Sequence, residues 1–346
     1  MLPPLRSSIT LLFPLIACAC GPTPARSAQT PTPPPTLSDA RYDAVLSGAS
    51  YPFPVHYLEL HTQQQRLRMA YMDVQPERPN GRSVLLLHGK NFAGFYWAAT
   101  VRRLLDQGYR VLVPDQIGFG KSSKPQAYQF SFQALAENTR ALLAELRIEH
   151  TAVVGHSMGG MLAVRFALRY PELTDKLVLV SPLGLEDWKR WVPARSVDEW
   201  YAEELKATPD SIREYQKQAY YAGEWRPEYE PLIEFASGMT QHPDYPKVAW
   251  CSALTYDMIF NQPVLYELQD LKPATLLIIG LQDKTAIGRA WAKPEVAAKL
   301  GDYRALGKQA AAVIPKAELV EIEGVGHLPQ VQAFEAYAQA LLTFLN

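Results

Sequence analysis

The stretch Val153, Val154, Gly155, His156, Ser157, Met158, Gly159, Gly160, Met161 constrains this chain more than any other. An apolar run enters it, a helix-forming run at 162–167 leaves it, and G-x-S-x-G sits between. That order predicts a sharp strand-to-helix turn that holds the Ser157 hydroxyl out as a nucleophile. Gly155 and Gly159 have a steric reason, because a Cβ at either place would strike the neighbouring strand or helix. In an ordinary loop the same pentapeptide carries little information. Between an apolar strand and a helix it asks the rest of the chain for partners.

The surrounding pattern supplies the setting. Residues 55–60 and 67–72 alternate in part around a polar turn at 62–65 and predict an antiparallel hairpin. Apolar runs at 83–87, 109–113, 176–181 and 274–280 read as buried strands, and 318–322 reads as the last strand. Helical spacing occupies about 97–107, 132–146 and 334–344. The alternation predicts an α/β fold with a mainly parallel sheet flanked by helices.

One segment departs from it. Residues 184–262 show no strand pattern and are rich in aromatics, from Trp188 to Trp250. A connection this long must carry structure of its own. It is expected to be a helical cap inserted between two strands of a core formed by 51–183 and 263–346. Most of its aromatics should pack cap to core, and a minority should line a pocket.

A serine hydroxyl is a weak nucleophile until a base takes its proton, and a third group orients that base. On an elbow of this kind the partners follow in the order serine, acid, histidine. Asp283 lies just past the 274–280 strand, and His327 lies in the loop after 318–322. Of seven histidines, His56 and His61 fall in the hairpin, His150 at the wrong end of the elbow strand and His242 in the cap. His156 neighbours the serine but should point elsewhere, and His88 begins another loop. His327 is therefore the expected base and Asp283 the expected acid, with Glu186 and Asp187 as rivals past the preceding strand. Asp115 is expected to be structural, accepting hydrogen bonds from the turn at 116–120.

Acyl transfer also needs donors for the oxygen that becomes negative, each worth on the order of 3 kcal/mol. The Met158 amide is one. The second should come from the loop at 88–91, with the Lys90 amide preferred and Asn91 in reserve. The side chains there are expected to be surface groups, since the donor is main chain.

Composition excludes some classes. The 346 residues are 48% hydrophobic and 20% charged with a formal net charge of −1, an ordinary globular balance. No basic run invites nucleic acid. The three cysteines, Cys18, Cys20 and Cys251, permit no disulfide framework or metal spacing, and Cys251 should be a buried packing residue.

At the N-terminus, Arg6 precedes an apolar run at 9–17 that is too short to span a bilayer and reads as a signal peptide over 1–17. Leu15, Ile16, Ala17 and Cys18 resemble a bacterial lipobox, which implies cleavage before Cys18 and diacylation of its thiol. Two acyl chains anchor stably where one is marginal. The expectation is a membrane-anchored lipoprotein facing the periplasm, with secretion after cleavage near Ser27 as the alternative. Residues 18–50 are expected to be a tether, Pro/Thr-rich and stiff over 21–36.

The motifs HGKNF (88–92), PDQIGFGKSSKP (114–125), GHSMGG (155–160), GLQDKTAIG (280–288) and GVGHLPQ (324–330) occur in that order. Over about residues 50–346 the chain resembles the α/β-hydrolase superfamily in its capped branch. The resemblance implies an acyl-enzyme mechanism on Ser157, His327 and Asp283, with water as second acceptor and no metal or cofactor. Epoxide hydrolases and haloalkane dehalogenases carry Asp where this chain has Ser157, which argues against both. Serine-bearing relatives include carboxylesterases, lactonases, perhydrolases, C–C hydrolases and proline iminopeptidases. The last usually show a Gly-rich oxyanion loop, unlike Lys90 and Asn91. The expected function is hydrolysis of small-molecule esters of small or medium apolar acids, with no obligate protein partner. C–C bond or lactone hydrolysis by the same residues is the alternative, and a ligand receptor on this fold is the competing class.

Overall fold

The computed structural model describes residues 41–346, so the expected signal peptide, Cys18 and most of the expected tether lie outside the described residues. The chain opens with β1 (Val55–Thr62) and β2 (Gln65–Val74), paired antiparallel with Thr62 opposite Gln65. Gln63 and Gln64 take the two positive-φ places of the turn, as a two-residue hairpin loop requires. There follow β3 (Ser83–Leu87), α1 (Ala98–Asp106), β4 (Arg110–Pro114), α2 (Phe132–Glu145), β5 (Thr151–His156), α3 (Met158–Arg169) and β6 (Thr174–Val180).

Residues 184–262 contain no strand. Their main helices are α4 (Val197–Glu204), α5 (Pro209–Tyr220), α6 (Glu230–Thr240) and α7 (Tyr245–Asn261). Ser196 and Thr208 start α4 and α5 with capping boxes, and Pro209 fits the first turn of α5, where its missing N–H costs nothing. Aromatic stacks hold these helices together: Trp200 lies on Tyr256 at 4.4 Å and Tyr221 on Tyr229 at 3.9 Å. The chain then returns to β7 (Ala274–Gly280), α8 (Pro294–Ala297), α9 (Tyr303–Val313), β8 (Ala317–Ile322), α10 (Pro329–Gln332) and α11 (Phe334–Leu345).

The eight strands lie in the order β1-β2-β4-β3-β5-β6-β7-β8, antiparallel as far as β4 and parallel from there on. Alternation along each strand feeds two cores. Leu85, Leu87, Val153, Leu177, Leu179, Leu277 and Ile279 face one side. Val84, Leu86, Val154, Val178, Val180, Leu276 and Ile278 face the other. Both faces of the central strands β3, β5 and β7 are covered, so their runs are mostly apolar, each buried side chain adding roughly 1.5–3 kcal/mol. After β3 the chain moves to β4 on one side and then to β5 on the other. Such a reversal opens a crevice at the carboxyl ends of the two strands.

Two expectations change. Residues 41–50, assigned to the tether, are packed: Ala44, Leu46 and Ala49 are buried, and the Tyr42 amide donates to Gly238 O at 3.3 Å. Apolar side chains at 44, 46 and 49 give this piece a surface to bury, which an extended spacer lacks. Asp115 is structural, but its partners are not the 116–120 turn. Its carboxylate accepts from the Lys121 amide at 2.7 Å, the Gly94 amide at 2.6 Å and the Tyr51 hydroxyl at 2.8 Å. Cys251 is buried, as expected.

Candidate active site

Strand register brings the loops together. Leu87 pairs with Gly155 and His156 with Val180, so the chain leaves β3, β5 and β6 at one level. At the turn Ser157 takes φ 57° and ψ −120°, a strained conformation for a residue with a side chain. The turn closes only because its flanks are bare. A Cβ on Gly155 would stand 2.1 Å from Gly159 O, and one on Gly159 would stand 2.2 Å from Leu87 O. The motif thus wedges α3 against β3 and fixes the serine beside the loop that follows β3.

The acid and histidine loops are also tied to each other. Gln282 N–H donates to Val325 O at 2.7 Å, and a Cβ on Gly280 would stand 2.0 Å from Gly326 O. His327 Nδ1–H donates to Asp283 Oδ2 at 2.6 Å, and Ser157 Oγ–H donates to His327 Nε2 at 2.8 Å. These directions follow from the partners, since a carboxylate can only accept. Asp283 Oδ1 accepts from the Thr285 amide at 2.8 Å, which fixes the carboxylate plane. Asp283 and His327 are fully buried and Ser157 is 4% exposed. The structure therefore brings together the three residues expected from the sequence.

The rival acids lie elsewhere. Asp187 accepts from the Tyr266 hydroxyl at 2.6 Å. Glu186 accepts from the Gly301 amide at 2.9 Å, and burial pushes its carboxyl above the usual range. His156 points beneath the elbow, away from the serine hydroxyl. Its Nε2 donates to His327 O at 2.8 Å and its Nδ1 accepts from the Tyr96 hydroxyl at 3.0 Å. Burial, with His327 close by, holds it well below the usual histidine range and therefore neutral. His88 is neutral for the same reason of burial, its Nε2 accepting from the Gln116 amide at 3.0 Å.

In the loop after β3, the Gly89 amide is taken by the Tyr96 hydroxyl at 3.3 Å and the Phe92 amide by Gly89 O at 3.2 Å. The amides of Lys90 and Asn91 have no acceptor among the described residues. Met158, the first residue of α3, likewise has an amide with no intrahelical partner. The donors named from the sequence are thus unspent.

The side chains of that loop overturn an expectation. Lys90 is buried rather than on the surface, with Nζ 3.4 Å from the centre of the Tyr256 ring and 2.6 Å from Ser252 Oγ. Burial lowers its ammonium to about 8, partly offset by Glu204. Asn91 Nδ2 donates to the Tyr220 hydroxyl at 2.7 Å. Both reach up into the 184–262 segment, whose individual contacts with this loop the sequence does not disclose.

Tyr220, Ser252, Tyr256 and Glu204 are the site residues that sequence reasoning misses. Tyr220 belongs to the recognised run of aromatics, yet nothing in that run singles it out. Ser252 and Tyr256 have a weak signal, four apart on one face of an α7 that also carries buried apolar residues.

Comparison with known proteins bears on the fold and the family. The profile of the family described as "Alpha/beta hydrolase family" matches residues 84–340. A solved structure of a probable hydrolytic enzyme from Pseudomonas aeruginosa is 54% identical, with a TM-score of 0.88 over 89% of this chain and 99% of that one. An uncharacterized protein of Mycobacterium tuberculosis is 42% identical over 106 residues, 31% of this chain. The match spans 30% of that relative's own length. A 2-hydroxy-6-oxo-2,4-heptadienoate hydrolase of Pseudomonas putida is 26% identical over 218 residues, 59% of this chain and 73% of that protein. The profile runs from β3 into α11, across the elbow and both partner loops, and the chain belongs to the alpha/beta hydrolase family.

Proposed function

We propose that the protein is a serine hydrolase of carboxylic esters that works through an acyl-enzyme on Ser157. The observation that carries this reading is the pair of hydrogen bonds about His327, 2.8 Å to Ser157 Oγ and 2.6 Å to Asp283 Oδ2. His327 takes the serine proton as Oγ attacks the ester carbonyl, and Asp283 steadies the imidazolium that forms. The amides of Met158 and Lys90 receive the developing oxyanion, each contributing on the order of 3 kcal/mol. His327 then protonates the leaving alkoxide. In the second half it deprotonates water, which attacks the acyl carbon and frees the acid and Ser157.

Turnover of p-nitrophenyl esters together with a single fluorophosphonate adduct on Ser157 is the expected result. Folded protein that shows neither would contradict the reading. A second reading, C–C bond or lactone hydrolysis by the same residues, is supported by the name of the Pseudomonas putida relative. A vinylogous diketone or lactone that exceeds simple esters by orders of magnitude in kcat/KM would favour it. Steady multiple turnover on any of these substrates contradicts a receptor role.

A further inference from the structure

Lys90 has two nitrogens with different surroundings. Its amide lies in the loop beside the elbow, and its ammonium rises between the helices above. There Nζ stands 3.4 Å from the Tyr256 ring centre and donates to Ser252 Oγ at 2.6 Å. Ser252 and Tyr256 are one turn apart on α7 and share a face. The nearest carboxylate oxygen, Glu204 Oε1, is 3.9 Å away, beyond hydrogen-bond range. The Glu204 side chain is 22% exposed against 6% for Lys90.

An ammonium has three donors. The Ser252 hydroxyl takes one and the Tyr256 π face attracts the charge. The third has no hydrogen-bond acceptor among the described residues. Ser252 Oγ, accepting from Lys90, keeps its own proton to give, and the Tyr256 hydroxyl has no hydrogen-bond partner among the described residues. A buried cation without a hydrogen-bonded carboxylate is expensive to hold. Glu204 offsets the charge only as a long ion pair at 3.9 Å, without a hydrogen bond to the ammonium. Unspent donors around a buried positive charge suit an anion with several acceptor oxygens.

We propose that Lys90, Ser252 and Tyr256 form a carboxylate-recognition site for the substrate, next to the loop that carries the Lys90 amide. The preferred substrates then carry a second, ionised carboxylate about one lysine side chain's length from the scissile carbonyl, as in half-esters of short dicarboxylic acids. This rests on the ester-hydrolase reading and narrows its substrate class from apolar acyl groups to acidic ones. The Lys90 amide receives the oxyanion while the ammonium of the same residue receives the distal carboxylate, which sets the spacing between the two groups.

The test compares monomethyl glutarate with methyl pentanoate, similar in length and different in charge, using the full chain. Wild type should favour the half-ester, and Lys90→Met should lower the ratio of the two kcat/KM values about 30-fold, the scale of one charge-assisted hydrogen bond. Equal losses on both esters would overturn the proposal. Calorimetry with glutarate, and glutaramide as control, gives a readout that needs neither turnover nor a folded variant. Glutarate binding at least about tenfold tighter than glutaramide supports the site, and equal or absent binding overturns it. If neither ester is hydrolysed and glutarate still binds tightly, the hydrolase reading fails and the anion site stands.

Discussion

Tyr220 accepts the backbone N–H of His327 on its own carbonyl at 2.8 Å and lays its ring over the imidazole, 4.8 Å between centroids at 30°. Its hydroxyl accepts from Asn91 Nδ2 at 2.7 Å. One residue at the end of α5 thus touches both the histidine loop and the loop after β3. It holds the base from above while His156 holds the His327 carbonyl from below at 2.8 Å.

Tyr220→Ala should therefore lower kcat on the order of 10²-fold, since a misplaced base costs that much without any change in chemistry. Tyr220→Phe keeps the stack and the carbonyl contact and should stay within about threefold of wild type, the usual scale for one exchangeable hydrogen bond. Steady-state kinetics on a p-nitrophenyl ester separates kcat from KM. An unchanged kcat in the alanine variant would remove Tyr220 from the positioning of His327.

The two rival carboxylates give a sharper contrast. Asp283→Asn should reduce kcat on the order of 10⁴-fold, because an amide partner favours the wrong imidazole tautomer. Glu186→Gln should stay within about threefold, since that carboxylate accepts from the Gly301 amide and not from His327. Equal losses in the two variants, measured at saturating substrate, would contradict the assignment of the acid.

Gly159→Ala should destabilise the fold by about 3 kcal/mol or more, because its Cβ would meet the backbone oxygen of Leu87, which cannot move without disturbing β3. Gly48→Ala meets nothing within 4 Å and should stay within about 0.5 kcal/mol of wild type. Urea unfolding followed by circular dichroism reads both.

Recognition of acidic substrates should depend on pH. Burial brings the Lys90 ammonium down to about 8, so it carries charge below that pH and loses it above. Of the groups around it, Glu204 is the neighbouring carboxylate, Ser252 does not ionise, and burial holds the Tyr256 hydroxyl well above its ordinary value. The KM for monomethyl glutarate should be flat from about pH 6.5 to 7.5 and rise roughly tenfold per unit above 8, as expected for one titrating cation. Methyl pentanoate should lack that limb. A shared profile would contradict a charged Lys90 as the anchor.

Much of this site was legible because its chemistry is written in local patterns. The apolar run at 274–280 became β7 with the same bounds, and the hairpin, the elbow and the loops holding Asp283 and His327 follow from period and turn residues. What was not legible depends on contacts between distant segments. The lysine at 90 is charged and sits in a loop, which reads as surface until α7 is seen to bring Ser252 and Tyr256 over it. Asp115 reads as structural from its turn, but two of its partners, Gly94 and Tyr51, come from segments that no local turn rule connects to it. Residues 41–50 look like the end of a spacer because their few apolar side chains show no period.

The central claim is that Ser157 is a nucleophile activated by His327. Intact-mass spectrometry after brief treatment with a fluorophosphonate tests it most directly. The account predicts one adduct, located on Ser157 by peptide mapping, with loss of esterase activity in step and no adduct in His327→Ala over the same interval. Labelling at another residue, or equal labelling of wild type and His327→Ala, would contradict it.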